Sequence, residues 1–298
     1  MPEGDTIAYA AERMRPVLVG AVPDKIVTPQ ARHLLDRWPE RLGGRAVTGI
    51  RTHGKHLFVD FEGALVIHSH LRMTGAWGIY PEGRRWHRAA RRAWVVFESR
   101  GHEVVEFDGP VLELMTAGRA RLDQRVATLG PDVLAREFDS ERFLARLRSD
   151  DQTRAIGDAL LDQRNVAGIG NAWKAEGCWA AAIDPWRPVA TVSDAEALAV
   201  IEAVRPGMLE SARHGHARGR PSVYRQAGRP CPRCGSPIRA KAGGLGRSPS
   251  GTPPARHPAS PERAAPESSS WLAKAGPAPR RPAGDDNRTT FWCPGCQL

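Results

Sequence analysis

The sequence has no apolar run approaching the roughly 20 residues that a membrane-spanning helix needs. Its opening, MPEGDTIAYA, has no cationic flank followed by an apolar stretch, so no secretory leader is expected. Cysteine is scarce: five in 298 residues do not make a disulfide framework. These absences lead us to expect a protein of the reducing cytoplasm. No internal repeat at solenoid spacing is present. Acidic residues are outnumbered, 33 Asp+Glu against 43 Lys+Arg, leaving a formal charge of +10. A polyanion is the natural partner of such a chain, although composition alone leaves a surface of solvated arginines equally open.

A length of 298 residues with 41% hydrophobic residues can bury a real core and suggests two folded units with a small appendage. Ile7, Ala10, Ala11, Met14 and Leu18 recur at helical spacing, with Asp5 or Thr6 as the expected cap. Pro2, Glu3 and Gly4 then precede a helix N-terminus, a place that favours anions. From about Ala46 to Met115 the period changes to two, with Leu57, Val59 and Phe61 alternating against His56, Phe58 and Asp60. Several short strands separated by Gly-containing turns indicate a sandwich or barrel. Within this region EGRRWHRAARRA forms a dense cationic stretch around Trp86, either a solvated loop or a nucleic-acid contact. His68 and His70 share a strand face, which reads as a polar face rather than a metal pair. From about Asp132 to Arg213 the pattern is helical: Asp139 or Ser140 can cap one helix, Asn171 starts another after Gly168 and Gly170, and Ser193 with Glu196 fits a capping box.

The tail carries two C-x-x-C pairs, Cys231 with Cys234 and Cys293 with Cys296. Four thiolates on two knuckles are the pattern of a closed, structural zinc site, so one structural Zn2+ is expected. Between the pairs, from about 241 to 286, lies a stretch rich in Pro, Ser, Ala, Gly and Arg that cannot bury enough apolar surface to order itself. Loop-closure entropy grows only logarithmically, so such an insertion is compatible with an intact finger. Arg288, just before Cys293, reads either as a guanidinium presented to a phosphate from a zinc-stiffened hairpin or as a solvated arginine. Cys178, among Trp179, Ala180 and Ala181, reads as a buried core thiol.

The separated motifs PEGDT (2–6), GKHL (54–57), HLRMTG (70–75), NVAGIGNAWKAE (165–176), VYRQAGRPCPRCG and RTTFWCPGCQ occur in one order along nearly the whole chain. In these the sequence resembles the formamidopyrimidine-DNA glycosylase / endonuclease VIII family of bifunctional DNA glycosylases. The resemblance implies an α+β multidomain protein. It would have an N-terminal helix plus β-sandwich over 1–120 and a helix–two-turn–helix DNA-binding domain over 130–215. A zinc finger would span 221–298, interrupted by the insertion.

The resemblance also implies residue roles. Removal of the initiator Met exposes Pro2, whose imino nitrogen, with an ordinary α-amino pKa near ~8, attacks a sugar C1′. Glu3 resembles the family's general acid and Lys55 its β-sheet lysine. Asn171 and Arg288 match the residues that grip phosphates, and Met73 matches the side chain that fills the hole left by a flipped base. The implied partner is damaged double-stranded DNA, with single-stranded or forked DNA also open, and the protein is expected as a nucleoid-associated monomer.

One segment departs from the purine-directed branch. Where that branch carries a DPRRFG-like sequence, this chain reads VLELMTAGRARLD. The expectation is therefore an endonuclease VIII-like enzyme. It would excise oxidised pyrimidines through a Pro2 Schiff base and cut by β,δ-elimination. An oxidised-purine (8-oxoguanine/formamidopyrimidine) glycosylase and a non-catalytic zinc-containing damaged-DNA-binding protein stand as the alternatives.

Overall fold

In a computed structural model, which describes residues 2–33, 35–215, 221–241 and 289–297, the chain opens with helix α1 (Gly4–Leu18). Met1, Arg288 and the stretch 242–286 lie outside the described residues. The apolar positions read from the sequence, Ile7, Ala10, Ala11, Met14 and Leu18, are all buried. The expected cap is not used: Glu3 is the N-cap, and no side chain caps the helix. Asp5 instead turns into the protein and accepts a hydrogen bond from Ser211 Oγ at 2.6 Å, a tertiary partner that outweighs the local capping role.

After β1 (Lys25–Val27) and α2 (Trp38–Leu42) come seven strands: β2 (Val47–His53), β3 (His56–Phe61), β4 (Leu65–His70), β5 (Ala76–Pro81), β6 (Ala93–Ser99), β7 (His102–Phe107) and β8 (Val111–Thr116). They form two four-stranded antiparallel sheets, ordered β1-β6-β7-β5 and β2-β3-β4-β8. Leu57, Val59, Phe61 and Ile67 on one sheet and Val95, Phe97 and Val104 on the other share a core with α1. The period-two pattern thus sorts one face inward, as a half-buried antiparallel sheet requires. Ser69 Oγ donates to Glu106 Oε1 at 2.8 Å, a buried polar contact between β4 and β7 across the sandwich. The other face of the β2-β3-β4-β8 sheet, with Phe58, Val66 and Met115, is covered by α3 (Ala117–Leu122) through Ala120. The short helix α4 (Gln124–Ala127) follows.

The remaining helices are α5 (Ser140–Ser149), α6 (Ile156–Leu161), α7 (Asn171–Ala180) and α8 (Asp194–His214). Asp139 caps α5, and the Ser193–Glu196 capping box of α8 is complete. Their apolar faces close a second core that includes Phe143, Leu147, Leu160, Trp173, Val200 and Met208, with Cys178 fully buried inside it. That burial pushes the Cys178 thiol up to about 12, as an inert core thiol requires. Strands β9 (Arg239–Lys241) and β10 (Thr290–Trp292) pair antiparallel and carry the cysteine knuckles. Among the described residues no helix is long and apolar enough to cross a membrane.

Candidate active site

The start of α1, the β2–β3 turn and the loop before α7 meet backbone to backbone. Gly4 N donates to Gly168 O at 2.9 Å. A Cβ on Gly4 would lie 2.9 Å from Gly168 Cα, and a Cβ on Gly54 would lie 3.0 Å from Gly168 N. Gly168 itself has φ +104°, a conformation that only glycine adopts without strain. Pro2 and Glu3 on one side and Lys55 on the other are therefore placed by glycines that allow three chain segments to touch.

Several side chains hold that loop in shape. Gln163 accepts from Gly168 N at 2.9 Å and donates to Leu161 O and Ile169 O. Asp162 is fully buried between Arg154 and Arg164. Burial opposes its ionisation, but the two guanidinium groups prevail and hold the carboxyl down at about 2. Gly54 N donates to Asp132 Oδ2 at 2.9 Å, fixing the Lys55 turn to the helical half of the protein.

Glu3 is buried, 4% exposed, and its carboxylate lies on the N-terminus of α7. Ala172 N donates to Oε1 at 2.9 Å and Trp173 N to Oε2 at 3.3 Å. A Cβ on Gly170 would be 2.3 Å from Glu3 Cδ, so the glycine is what admits the carboxylate. The N-terminus of α7, where the resemblance implies a phosphate held by Asn171, carries an anion of the protein's own. The N–H groups of Ala172 and Trp173 are thereby taken, and what Asn171 offers is its side chain. Its Nδ2 donates to Thr289 O at 2.8 Å, tying the start of α7 to the residue next to Arg288.

Pro2 lines a cleft of about 310 Å³ together with Thr6, Arg13, Met73, Trp77 and Arg88. Met73 is 61% exposed. Of the four exposed large apolar side chains among the described residues, it alone lines this cleft. The β7–β8 turn has only three residues, Asp108–Gly109–Pro110, and Leu112 just beyond it is core, so no second apolar wedge rises there. Lys55 is half-buried, close enough to His70 to lower that imidazole's affinity for a proton.

His56, His68 and His70 do share a face, as the alternation suggests. The rings of His56 and His68 stack, with His56 Nδ1 and His68 Nε2 2.8 Å apart, and His70 is tilted against His56. Burial drives His56 down to about 2 and His68 and His70 to about 4, so all three are neutral at pH 7. His68 also lies near Glu113 and Asp123, but Arg125 bridges both carboxylates, so a guanidinium occupies the place a cation would take.

The four cysteine sulfurs lie within 4.8 Å of one another. Cys231 and Cys296 are 3.8 Å apart and Cys234 and Cys293 3.4 Å. The edge of a tetrahedron with metal–sulfur bonds near 2.3 Å is about 3.8 Å, so the set fits a four-thiolate site. Trp179 Nε1 donates to Cys231 Sγ at 3.3 Å, and Glu176 accepts from the N–H groups of Ser222, Val223 and Tyr224, so α7 supports the knuckles from beneath. Buried Lys174 donates to Thr290 Oγ1 at 2.9 Å. None of these supports was apparent in the sequence, because a Glu or Lys inside a helix carries no local signal of a distant partner.

The family model described as the Formamidopyrimidine-DNA glycosylase N-terminal domain matches residues 1–112, and that of the Formamidopyrimidine-DNA glycosylase H2TH domain matches residues 129–219. The chain is 36% identical to a probable endonuclease 8 2 of Streptomyces coelicolor, covering 100% of this chain and 94% of that protein. It is 34% identical to the DNA-(apurinic or apyrimidinic site) lyase Nei2 of Mycolicibacterium smegmatis, over 82% of this chain and 94% of the relative. Among solved structures, the Lactococcus lactis enzyme bound to abasic-site DNA aligns with TM-score 0.73 at 20% identity, covering 100% of both chains, a likeness of fold.

Proposed function

The chain belongs to the formamidopyrimidine-DNA glycosylase family, with endonuclease 8-like relatives, and from that premise we propose how its residues act. It is a base-excision DNA glycosylase with AP lyase activity. The observation that carries the assignment of chemistry is the position of Pro2, on the wall of a cleft, next to a carboxylate fixed by two backbone N–H groups.

With Met1 removed, the Pro2 nitrogen is a secondary amine facing that cleft. Its lone pair attacks C1′ of a flipped nucleotide and the base leaves, so a C–N bond forms as the glycosidic bond breaks. Glu3 takes up the proton that the Pro2 nitrogen releases and delivers it to the ring oxygen as the sugar opens. The resulting iminium withdraws electrons and acidifies the C2′ proton. Loss of that proton expels the 3′ phosphate, and a second elimination expels the 5′ phosphate. Lys55, on the facing turn, assists proton transfer near the lesion. Asn171 and Arg288 hold the flanking phosphates, with Asn171 fixed to the backbone of Thr289. Met73 enters the stack where the base has left, as its exposure beside the cleft suits it to do.

Cys231, Cys234, Cys293 and Cys296 would hold one Zn2+, which supplies folding energy to the finger and no chemistry to the reaction. The short β7–β8 turn supports the endonuclease VIII-like assignment and oxidised pyrimidines, such as thymine glycol or 5-hydroxyuracil, as the substrate class. A monomer acting on damaged duplex DNA in the cytoplasm, at the nucleoid, completes the reading. A panel of lesion duplexes tests the substrate: faster excision of thymine glycol and 5-hydroxyuracil than of 8-oxoguanine is expected, and the reverse order contradicts the pyrimidine assignment.

A further inference from the structure

The cationic stretch between β5 and β6 is not an untethered surface loop. Residues 82–92 contain five arginines and one acid, a crowding of like charge that a loop free to spread would relieve. The fold holds it at several points instead. Trp86 is inserted against Phe107 at an edge-on ring distance of 5.6 Å, and its Nε1 donates to Glu103 Oε2 at 2.8 Å. Arg88 Nη1 donates to Thr74 O at 2.7 Å and to Asp108 Oδ2 at 3.1 Å, and Arg92 meets the same carboxylate at 2.5 Å. Gln30 Nε2 donates to Arg91 O and Ala93 O, docking a neighbouring turn against the base of the loop. On that turn Arg32 lies over the Trp94 ring at 4.2 Å.

The arginines therefore divide by partner. Arg88 and Arg92 pair with Asp108 and anchor the loop there. Arg84, Arg85 and Arg91 are exposed and take part in no ion pair among the described residues. The anchored side of the loop is continuous with the cleft: Arg88 lines it with Pro2 and Met73, and its bond to Thr74 braces the turn that carries Met73. An anchored loop that presents three exposed guanidinium groups on the rim of a site that takes a nucleotide suits one ligand, the regularly spaced phosphates of a duplex running past the lesion.

We propose that the 82–92 loop is a second DNA-binding surface, in which Arg84, Arg85 and Arg91 hold the phosphates of one duplex arm flanking the lesion. The proposal deepens the glycosylase reading and rests on it. It assigns this loop to affinity and to one side of the lesion, separate from the bond-breaking residues.

The test uses the full-length, zinc-loaded protein and a duplex carrying a tetrahydrofuran abasic analogue. Binding is measured across a range of salt concentrations for the wild type, for the triple variant Arg84→Gln, Arg85→Gln, Arg91→Gln, and for the charge-retaining Arg84→Lys, Arg85→Lys, Arg91→Lys. Each phosphate contact contributes about 0.9 to the slope of log affinity against log salt, so the Gln variant should lose about 2–3 from the slope and the Lys variant should retain it. Trimming one arm of the duplex should erase the difference between wild type and Gln variant; trimming the other should leave it. Equal slopes, or a difference that ignores which arm is trimmed, overturn the proposal. Borohydride trapping by the wild type on abasic DNA, run in parallel, reports the glycosylase reading by itself. An adduct with equal slopes removes only the loop proposal, whereas no adduct removes the reading beneath it.

Discussion

Gly4 N donates to Gly168 O at 2.9 Å across an approach too close for a side chain on Gly4, and through it the N-terminus is set against the helical half of the protein. Replacing Gly168 by Ala places a Cβ 2.8 Å from Val133 Cγ1 and forces a positive φ on a residue that resists it. We expect Gly168→Ala to lose about 1–3 kcal/mol of stability. Activity at a temperature where the variant is still folded should fall by more than tenfold, because Pro2 and Lys55 are both referenced to this backbone. Thermal unfolding and a single-turnover nicking assay measure the two effects separately; full activity in the folded variant contradicts the positioning role.

The Glu3 carboxylate closes the α7 N-terminus and, in the proposed mechanism, also acts on the sugar. Glu3→Gln keeps one acceptor for an N–H group and removes the acid. General acid catalysis is worth on the order of 10²–10⁴-fold, so base excision should fall within that range while the fold survives. Near-UV circular dichroism and excision of a lesion base measure fold and chemistry in the same sample.

Glu106 provides a pH dependence of stability. Burial on both sides of the sandwich raises its carboxyl to about 8, so it is carried protonated in the folded protein, where the unfolded chain ionises near 4.5. The folded state holds the extra proton between these values, so stability falls as pH rises through that window, by up to about 1.4 kcal/mol per pH unit. The Glu106→Gln variant should show a flatter profile and a higher melting temperature than wild type at pH 8. Parallel melting curves at pH 6 and pH 8 decide it: equal wild-type and variant slopes remove Glu106 as the cause.

His56, His68 and His70 act in the opposite direction. Their protons bind the unfolded chain near 6.5 and the folded protein only at about 2 to 4, so stability is lost as pH falls below 6.5. Stability should therefore peak near neutrality and decline on both sides. Acid titration followed by circular dichroism should show unfolding at lower pH for His68→Asn than for wild type.

The legible part of this protein was what repeats locally. The buried positions of α1, the alternation of β3, the Asp139 cap and the Ser193–Glu196 box follow from spacing, because each depends on neighbours a few residues away. The site was legible as separate motifs, and the structure brings Pro2 and Met73 to one cleft and Glu3 and Asn171 to one helix start. What the sequence hid was the partner of each polar group. Asp5 bonds Ser211, Glu3 caps a helix begun about 170 residues later, and Arg125 fills the space between Glu113 and Asp123. Such contacts are set by tertiary geometry and leave no period to read. Arg288 and the 242–286 stretch lie outside the described residues, so their roles stand as proposals.

The central claim is that the bond to DNA forms at the nitrogen of Pro2. Wild-type protein should be trapped on abasic DNA with borohydride and digested, and the DNA-bearing peptide identified by mass spectrometry. The account predicts the sugar remnant on an N-terminal peptide that begins at Pro2, with no adduct from Pro2→Gly at matched pH and time beyond a few per cent of wild type. A remnant on Lys55 or any other lysine, or an N-terminal peptide that still carries methionine in the trapped species, would contradict it.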